Sequence, residues 1–224
     1  MKNAVVAGAT GGIGSGLVKA LEQDGYNVIS VSQTEGVVCD LSDYSQIQQA
    51  VKEIKRTVET IDLLVNSAGV ATYKNLVDVS DDDLQNAFMV NTIAPTILMR
   101  ELSPLMAHQD TLVLNIGSGM GTIPTKGRSI YCATKFALRG ISLSLSKEFE
   151  GRFPRFCLIT LGSTLTELGP MTLEEKQKAF EDGKAYFPVE WVINKLMEII
   201  QDTNREPEIT LFPSDYGFGV WKQP

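Results

Sequence analysis

Apolar residues in this chain fall into two alternating rhythms. Short apolar runs bounded by turn residues read as buried strands at about 3–8, 26–32, 61–66, 110–116 and 155–160. Between them lie stretches with helical spacing. Leu17, Val18, Ala20 and Leu21 mark a helix at about 12–24 that Gly25 stops, a second helix starts at Ser80, and a third covers about 129–150. Ser80 is suited to cap its helix, and Asp81, Asp82 and Asp83 suit the positive end of the helix dipole. Strands alternating with helices predict an α/β fold with a parallel, doubly wound sheet. One connection breaks the pattern. About five residues separate the second strand from Val37-Val38-Cys39, whereas a parallel crossover takes a dozen or more. Either this third strand is an edge fragment joined by an irregular loop, or it is not a parallel strand.

The first strand, Asn3-Ala4-Val5-Val6-Ala7, runs directly into Gly8-Ala9-Thr10-Gly11-Gly12-Ile13-Gly14 and then into a helix. Strand, glycine turn and helix make a phosphate-binding layout: glycines let the backbone approach a pyrophosphate, and the free amides of the helix start attract it. No Gly-Lys-Ser/Thr follows, which excludes a Walker loop. The glycines fit two spacings, Gly8-x-x-x-Gly12-x-Gly14 and Gly8-x-x-Gly11-x-x-Gly14, so the loop alone does not separate subfamilies of dinucleotide binders.

Tyr131 and Lys135 lie four apart on a predicted helix and share a face, with Ser118 upstream in Asn115-Ile116-Gly117-Ser118-Gly119-Met120-Gly121. A phenol beside a cation ionises more readily, so the pair is expected to bring the Tyr131 pKa down toward the neutral range. Pro95 lacks an amide hydrogen and deprives the Asn91 carbonyl of its helical partner. Asn91 then either has a spare acceptor that could hold a water, or sits in a helix that Pro95 merely bends.

Taken together in this order, these segments resemble the short-chain dehydrogenase/reductase family over about the first 165 residues. Cys39-Asp40-Leu41 is similar to the step against the adenine ring. Asn66-Ser67-Ala68-Gly69 resembles the Asn-Asn-Ala-Gly strand end with Ser67 in place of the second Asn, and Leu161-Gly162-Ser163-Thr164-Leu165-Thr166 resembles the Pro-Gly-x-Val-x-Thr loop with Leu161 in place of Pro. The resemblance implies a Rossmann fold and an NAD(P)-dependent oxidoreductase acting on a small-molecule carbonyl or alcohol. It implies catalytic roles for Asn91, Ser118, Tyr131 and Lys135: Tyr131 as general acid/base, Lys135 tuning it and binding the nicotinamide ribose, Ser118 on the substrate oxygen, and Asn91 supporting a water relay. It also implies cofactor contacts from Gly8, Thr10, Gly11, Gly12, Ile13 and Gly14, from Ser32, Gln33, Asp40 and Leu41, from Asn66, Ala68 and Gly69, and from Gly162, Thr164 and Thr166, with Tyr131 and Lys135 shared. A homodimer or homotetramer is expected on the same ground.

The cofactor's identity is read from the end of the second strand. Ser32-Gln33-Thr34 stands where an acid would bind the adenosine 2′-hydroxyl, so the NAD marker is missing, and NADP is expected ahead of NAD although the stretch has no basic residue for a 2′-phosphate. Glu35 lies nearby. Residues 163–187 are expected to cover the substrate, with Met171, Phe180, Tyr186 and Phe187 either lining it or packing in the core. The tail from Pro213 to Pro224, with Tyr216, Phe218 and Trp221, departs from the family's usual ending and is a candidate subunit contact.

Composition narrows the alternatives. At 224 residues the chain is expected to be a single dinucleotide-binding and catalytic domain, 1–224, burying about 70–75 % of its unfolded surface. No apolar run reaches the roughly 18 residues of a membrane span, and Met1-Lys2 leads straight into the first strand, so a cytoplasmic protein is expected. Cys39, Cys132 and Cys157 are odd in number without a Cys-x-x-Cys spacing and fit reduced thiols. A net charge of −7 offers no patch to nucleic acid. His108 reads as a solvated loop residue, and no cluster has metal-ligand spacing. Two other functions stay open: a non-enzymatic NAD(P)-binding sensor or scaffold, and a nucleotide-sugar epimerase or dehydratase, which the chain's length disfavours.

Overall fold

The computed structural model describes residues 1–221. Seven parallel strands form one sheet in the order β3-β2-β1-β4-β5-β6-β7. They are β1 (Asn3–Ala7), β2 (Asn27–Ser32), β3 (Val37–Val38), β4 (Leu63–Asn66), β5 (Leu112–Ile116), β6 (Arg155–Leu161) and β7 (Glu208–Leu211). The central strands are buried on both faces, which explains why their sequences run apolar without alternation. On one face α1 (Gly12–Gln23) and α7 (Val189–Gln201) cover a core that includes Leu17, Leu21, Val192 and Leu196. On the other, α2 (Tyr44–Thr57), α4 (Ala94–Leu102) and α5 (Ser129–Glu148) cover Ile47, Ile54, Leu98 and Leu102.

The order reverses between β1 and β4, so the chain leaves these neighbouring strands in opposite directions and opens a crevice at their carboxyl ends. The glycine loop and Ser67-Ala68-Gly69 emerge there. Local rules set several element ends. Ser80 and Asp83 form a reciprocal capping box at the start of α3 (Asp81–Phe88), as the sequence suggests. Thr172 and Glu175 do the same for α6 (Leu173–Glu181).

The third strand takes the first of its two alternatives. Val31 and Ser32 pair in parallel with Val37 and Val38, and no helix intervenes. Ser32 makes this possible: its hydroxyl donates to Glu35 O at 2.8 Å and accepts from the amides of Thr34 and Glu35 at 3.2 and 2.8 Å. Gly36 completes the reversal at φ 69°, where any Cβ would lie 2.3 Å from Ser30 O. Among the described residues, no helix is long and apolar enough to cross a membrane.

Candidate active site

A cleft of about 1500 Å³ opens at the carboxyl end of the sheet. Its floor is the β1–α1 loop. Gly8 turns at φ 87° and donates to Val31 O, and a Cβ there would stand 2.5 Å from Ala68 N. A Cβ on Gly14 would stand 2.0 Å from Gly8 O, and one on Gly12 would stand 2.8 Å from Thr166 Cγ2. The loop is therefore folded tightly on itself and pressed between the end of β4 and the segment after β6. Thr10, Gly11 and Ile13 also line it. Gly11 is the N-cap of α1 and supplies no side-chain acceptor, so the first-turn amides retain their donor capacity toward the cleft.

Ser32, Gln33, Asp40 and Leu41 line the same cleft beside this floor. The Ser32 hydroxyl is already occupied in its own turn. Asp40 accepts from the Ser42 amide at 2.8 Å and the Ser42 hydroxyl at 2.7 Å, and these bonds hold its carboxyl below the usual range. It is an ionised, preoriented acceptor. On the roof, Gly162, Thr164 and Thr166 line the cleft, as do Ala68 and Gly69 at the end of β4.

Ser118, Tyr131 and Lys135 converge on the opposite wall. Ser118 caps the turn after β5, its Oγ accepting from Met120 N at 3.2 Å, and its side chain lowers the Tyr131 pKa. Tyr131 is only 3 % exposed, and Tyr73 meets its ring edge-on at 5.4 Å between centroids. Lys135 is buried, donates to Ile116 O at 3.2 Å, and places Nζ 5.9 Å from the centre of the Tyr131 ring.

The expected electrostatics are reversed. Burial pushes the Tyr131 phenol up, the Ser118 side chain and the Arg128 charge only partly opposing it, and Lys135 is not among the groups that pull it down. Burial also lowers Lys135 from 10.5 to about 8. Loss of solvent penalises both charged forms, and this outweighs the attraction that spacing alone suggested.

Two expected residues stand behind the wall rather than on it. Asn66 is buried in the sheet and donates to Asn115 Oδ1 at 2.7 Å. Asn91 is 1 % exposed; its Oδ1 accepts from Val70 N at 2.8 Å while Nδ2 donates to Val70 O at 2.9 Å and Thr134 Oγ1 at 3.0 Å. It fastens the loop after β4 to α5. Residues Met89–Ile93 form a π-helical turn, with the Ala94 amide donating five residues back to Met89 O, and Pro95 follows directly in α4. The distortion anticipated from Pro95 is thus a π turn centred on Asn91. A Cβ on Gly69 would lie 3.5 Å from Asn91 Oδ1 and 3.7 Å from Lys135 Nζ, so both groups close on the same stretch of backbone.

Within 163–187, Met171 and Tyr186 face the cleft, whereas Phe180 does not line it and Phe187 is fully buried, stacked on Trp191 at 4.3 Å. Tyr216 and Phe218, suggested as a subunit contact, pack within the chain against Phe187 and Trp191. Trp221 lines the cleft, and residues 222–224 of that tail lie outside the described residues. His108 is a half-exposed loop residue with Nε2 3.3 Å from Asp62 Oδ1. Sequence reasoning missed Tyr73, Arg128 and Lys176 on the wall. Lys176 donates to the carbonyls of Thr166 and Leu168 at 2.6 Å each and ties α6 to the roof.

The glycine loop thus lies at the switch point, with Ser118, Tyr131 and Lys135 across the cleft. The family model for short chain dehydrogenases matches residues 31–177. The chain belongs to the short-chain dehydrogenase family. Carbonyl reductase family member 4 of Xenopus laevis is 31 % identical to this dehydrogenase over 182 residues, covering 75 % of this chain and 77 % of the relative. The 3-oxoacyl-[acyl-carrier-protein] reductase FabG of Haemophilus influenzae is 28 % identical over 194 residues, covering 80 % of each chain. A solved structure of 4-hydroxyisoleucine dehydrogenase complexed with NADH superposes at a TM-score of 0.84 with 22 % identity, covering 95 % of this chain and 98 % of that one, which supports the fold.

Proposed function

We propose that this dehydrogenase interconverts a small-molecule carbonyl and its alcohol with a nicotinamide dinucleotide, Tyr131 serving as general acid/base. The observation that carries this reading is the convergence of Ser118, Tyr131 and Lys135 on the wall of a cleft whose floor is a glycine loop. The floor fits a dinucleotide. Side chains at Gly8, Gly12 and Gly14 would collide with neighbouring atoms, and the uncapped first turn of α1 supplies donors for a pyrophosphate. Asp40 is an acceptor for an exocyclic amine, and Lys135 and Tyr131 would meet the ribose. When bound, the nicotinamide supplies or accepts the hydride.

The chain's own residues then handle the proton. The high pKa of buried Tyr131 keeps the phenol protonated at neutral pH, which suits donation to a substrate oxygen in reduction. Ser118, on the same wall of the cleft as that phenol, is placed to orient the same oxygen. Lys135, lowered to about 8, remains largely cationic at neutral pH and stabilises negative charge at the wall. Asn91 acts indirectly, by fixing the Val70 loop and α5 on which Lys135 sits. Residues 163–187 cover the substrate, with Lys176 holding them down.

The absence of an acid at the end of β2 favours NADP, and the Asp40 carboxylate on the same wall opposes an added phosphate. Paired titrations with NADPH and NADH settle the order, at least tenfold tighter NADH binding reversing it. The test of function is a screen of aldehydes, ketones and alcohols with both cofactors, followed at the nicotinamide absorbance. Turnover is expected. Saturable dinucleotide binding with no turnover of any compound would move the protein to the sensor class.

A further inference from the structure

The cleft contains a guanidinium that the proposed chemistry does not use. Arg128 directly precedes α5, three residues before Tyr131, and lines the cleft. Its guanidinium carbon sits 4.3 Å from the centre of the Tyr73 ring, and Tyr73 in turn meets Tyr131 edge-on. Its one side-chain hydrogen bond among the described residues is a weak one, Nη1 to Met120 Sδ at 3.7 Å. Arg128 takes part in no ion pair among the described residues.

The guanidinium lies over the Tyr73 ring and its fork of donors has no anionic partner among the described residues, and such a fork can bind a carboxylate in two-pronged fashion. The acids on the same wall do not answer it. Asp83 is held by Lys74 at 2.6 Å and by Ser80, and neither Asp82 nor Glu167 reaches Arg128. Lys184 adds a second cation to the wall, its Nζ 5.6 Å over the Tyr186 ring and likewise in no ion pair among the described residues. Gly169 packs on Tyr73, a Cβ there lying 3.2 Å from its ring, so the covering segment touches the ring that orients Arg128. Tyr73 thus touches both Arg128 and Tyr131, and all three line the same cleft.

We infer that Arg128 is a specificity-determining residue that binds the carboxylate of the substrate, so that the substrates are oxo acids and the corresponding hydroxy acids. The inference rests on the proposed reductase function and sharpens its substrate class. A carboxylate held by a charge-assisted pair gains about 1.5–3 kcal/mol over a neutral isostere, which corresponds to a preference of about tenfold or more.

The test pairs 2-oxobutanoate, 3-oxobutanoate and 4-oxopentanoate with their methyl esters, using wild type, Arg128→Ala and Arg128→Lys. For at least one pair, wild type is expected to show kcat/KM at least tenfold higher for the acid, chiefly through KM. Arg128→Ala should shrink the acid-to-ester ratio about tenfold, and Arg128→Lys should restore part of it. Because the ratio is read within one variant, a general loss of folding does not imitate the result. Ester turnover equal to acid turnover in wild type, or an unchanged ratio in Arg128→Ala, overturns the inference and leaves the reductase reading standing. Turnover of neither class in this panel, when other carbonyl compounds are reduced, also overturns it. If no carbonyl compound at all is reduced, the reductase reading fails. Calorimetric titration of the three acids into wild type and Arg128→Ala then decides the anion site by itself, and equal or absent binding overturns it.

Discussion

Replacing Lys135 with Met should stabilise the protein while removing its activity. The Lys135 ammonium is buried, takes part in no ion pair among the described residues, and has the Ile116 carbonyl at 3.2 Å as its hydrogen-bond partner. The fall from 10.5 to about 8 is caused by burial and amounts to about 3 kcal/mol against the charged form. Met fills similar space without the charge but leaves the Ile116 carbonyl without its donor, at about 1 kcal/mol. The net expectation at pH 7 is about 2 kcal/mol of added stability, or a Tm higher by about 4–8 °C for a chain of this size. The pH dependence carries the sign. With the folded pKa below the unfolded one, the penalty in wild type is complete below about pH 8 and fades as pH rises toward 10.5. Urea melts of both proteins from pH 7 to 10.5 should show the gap closing across that window. A Lys135→Met protein less stable than wild type at pH 7, or a gap that stays constant through the series, would refute the reasoning.

Gly14→Ala puts a methyl 2.0 Å from Gly8 O, a backbone atom with little room to yield. It should cost about 2–3 kcal/mol in urea melts and weaken dinucleotide binding in parallel. Asn91→Ala leaves both polar groups of Val70 without their partner, and a loss of about 2–4 kcal/mol is expected, with turnover slowed more than dinucleotide binding is weakened; unchanged melting would remove the clamp. Glu208 is held below its usual range chiefly by its hydrogen bond to Arg139, the residue one turn beyond Lys135. A lowered carboxyl stabilises above its unfolded pKa and loses that contribution as pH falls through the folded value. Arg139→Leu should therefore flatten the acid limb of stability below about pH 4.5, by less than about 1 kcal/mol because the pair is partly exposed.

The sequence revealed those parts of the site that depend on local rules. The glycine loop is legible because strand, turn and helix are consecutive, and Ser118, Tyr131 and Lys135 because helical spacing and motif order place them together. The Ser80 cap is legible for the same reason. What escaped depends on partners distant in sequence. Arg128 acquires its role from Tyr73, 55 residues earlier, and in the sequence it is one basic residue in a turn. The burial that raises Tyr131 and lowers Lys135 comes from the packed wall, so spacing alone gave the wrong direction for the phenol. For Asn91 the sequence points to a free backbone carbonyl and, by resemblance, to a catalytic role, whereas the structure shows its side chain fastening a loop 21 residues away. The short β2–β3 connection needed the Ser32 hydroxyl to bond its own turn, a side-chain arrangement that no periodicity encodes.

The central claim is that the Tyr131 hydroxyl moves the proton in a reaction whose other reactant lies on the glycine loop. Tyr131→Phe deletes that hydroxyl and keeps the ring against Tyr73. Measured with a compound that wild type reduces, alongside dinucleotide affinity by fluorescence titration, the variant should lose turnover by about a hundredfold or more while binding the dinucleotide within a few-fold of wild type. Full turnover in the Phe variant would contradict the account, because the proton would then come from another group.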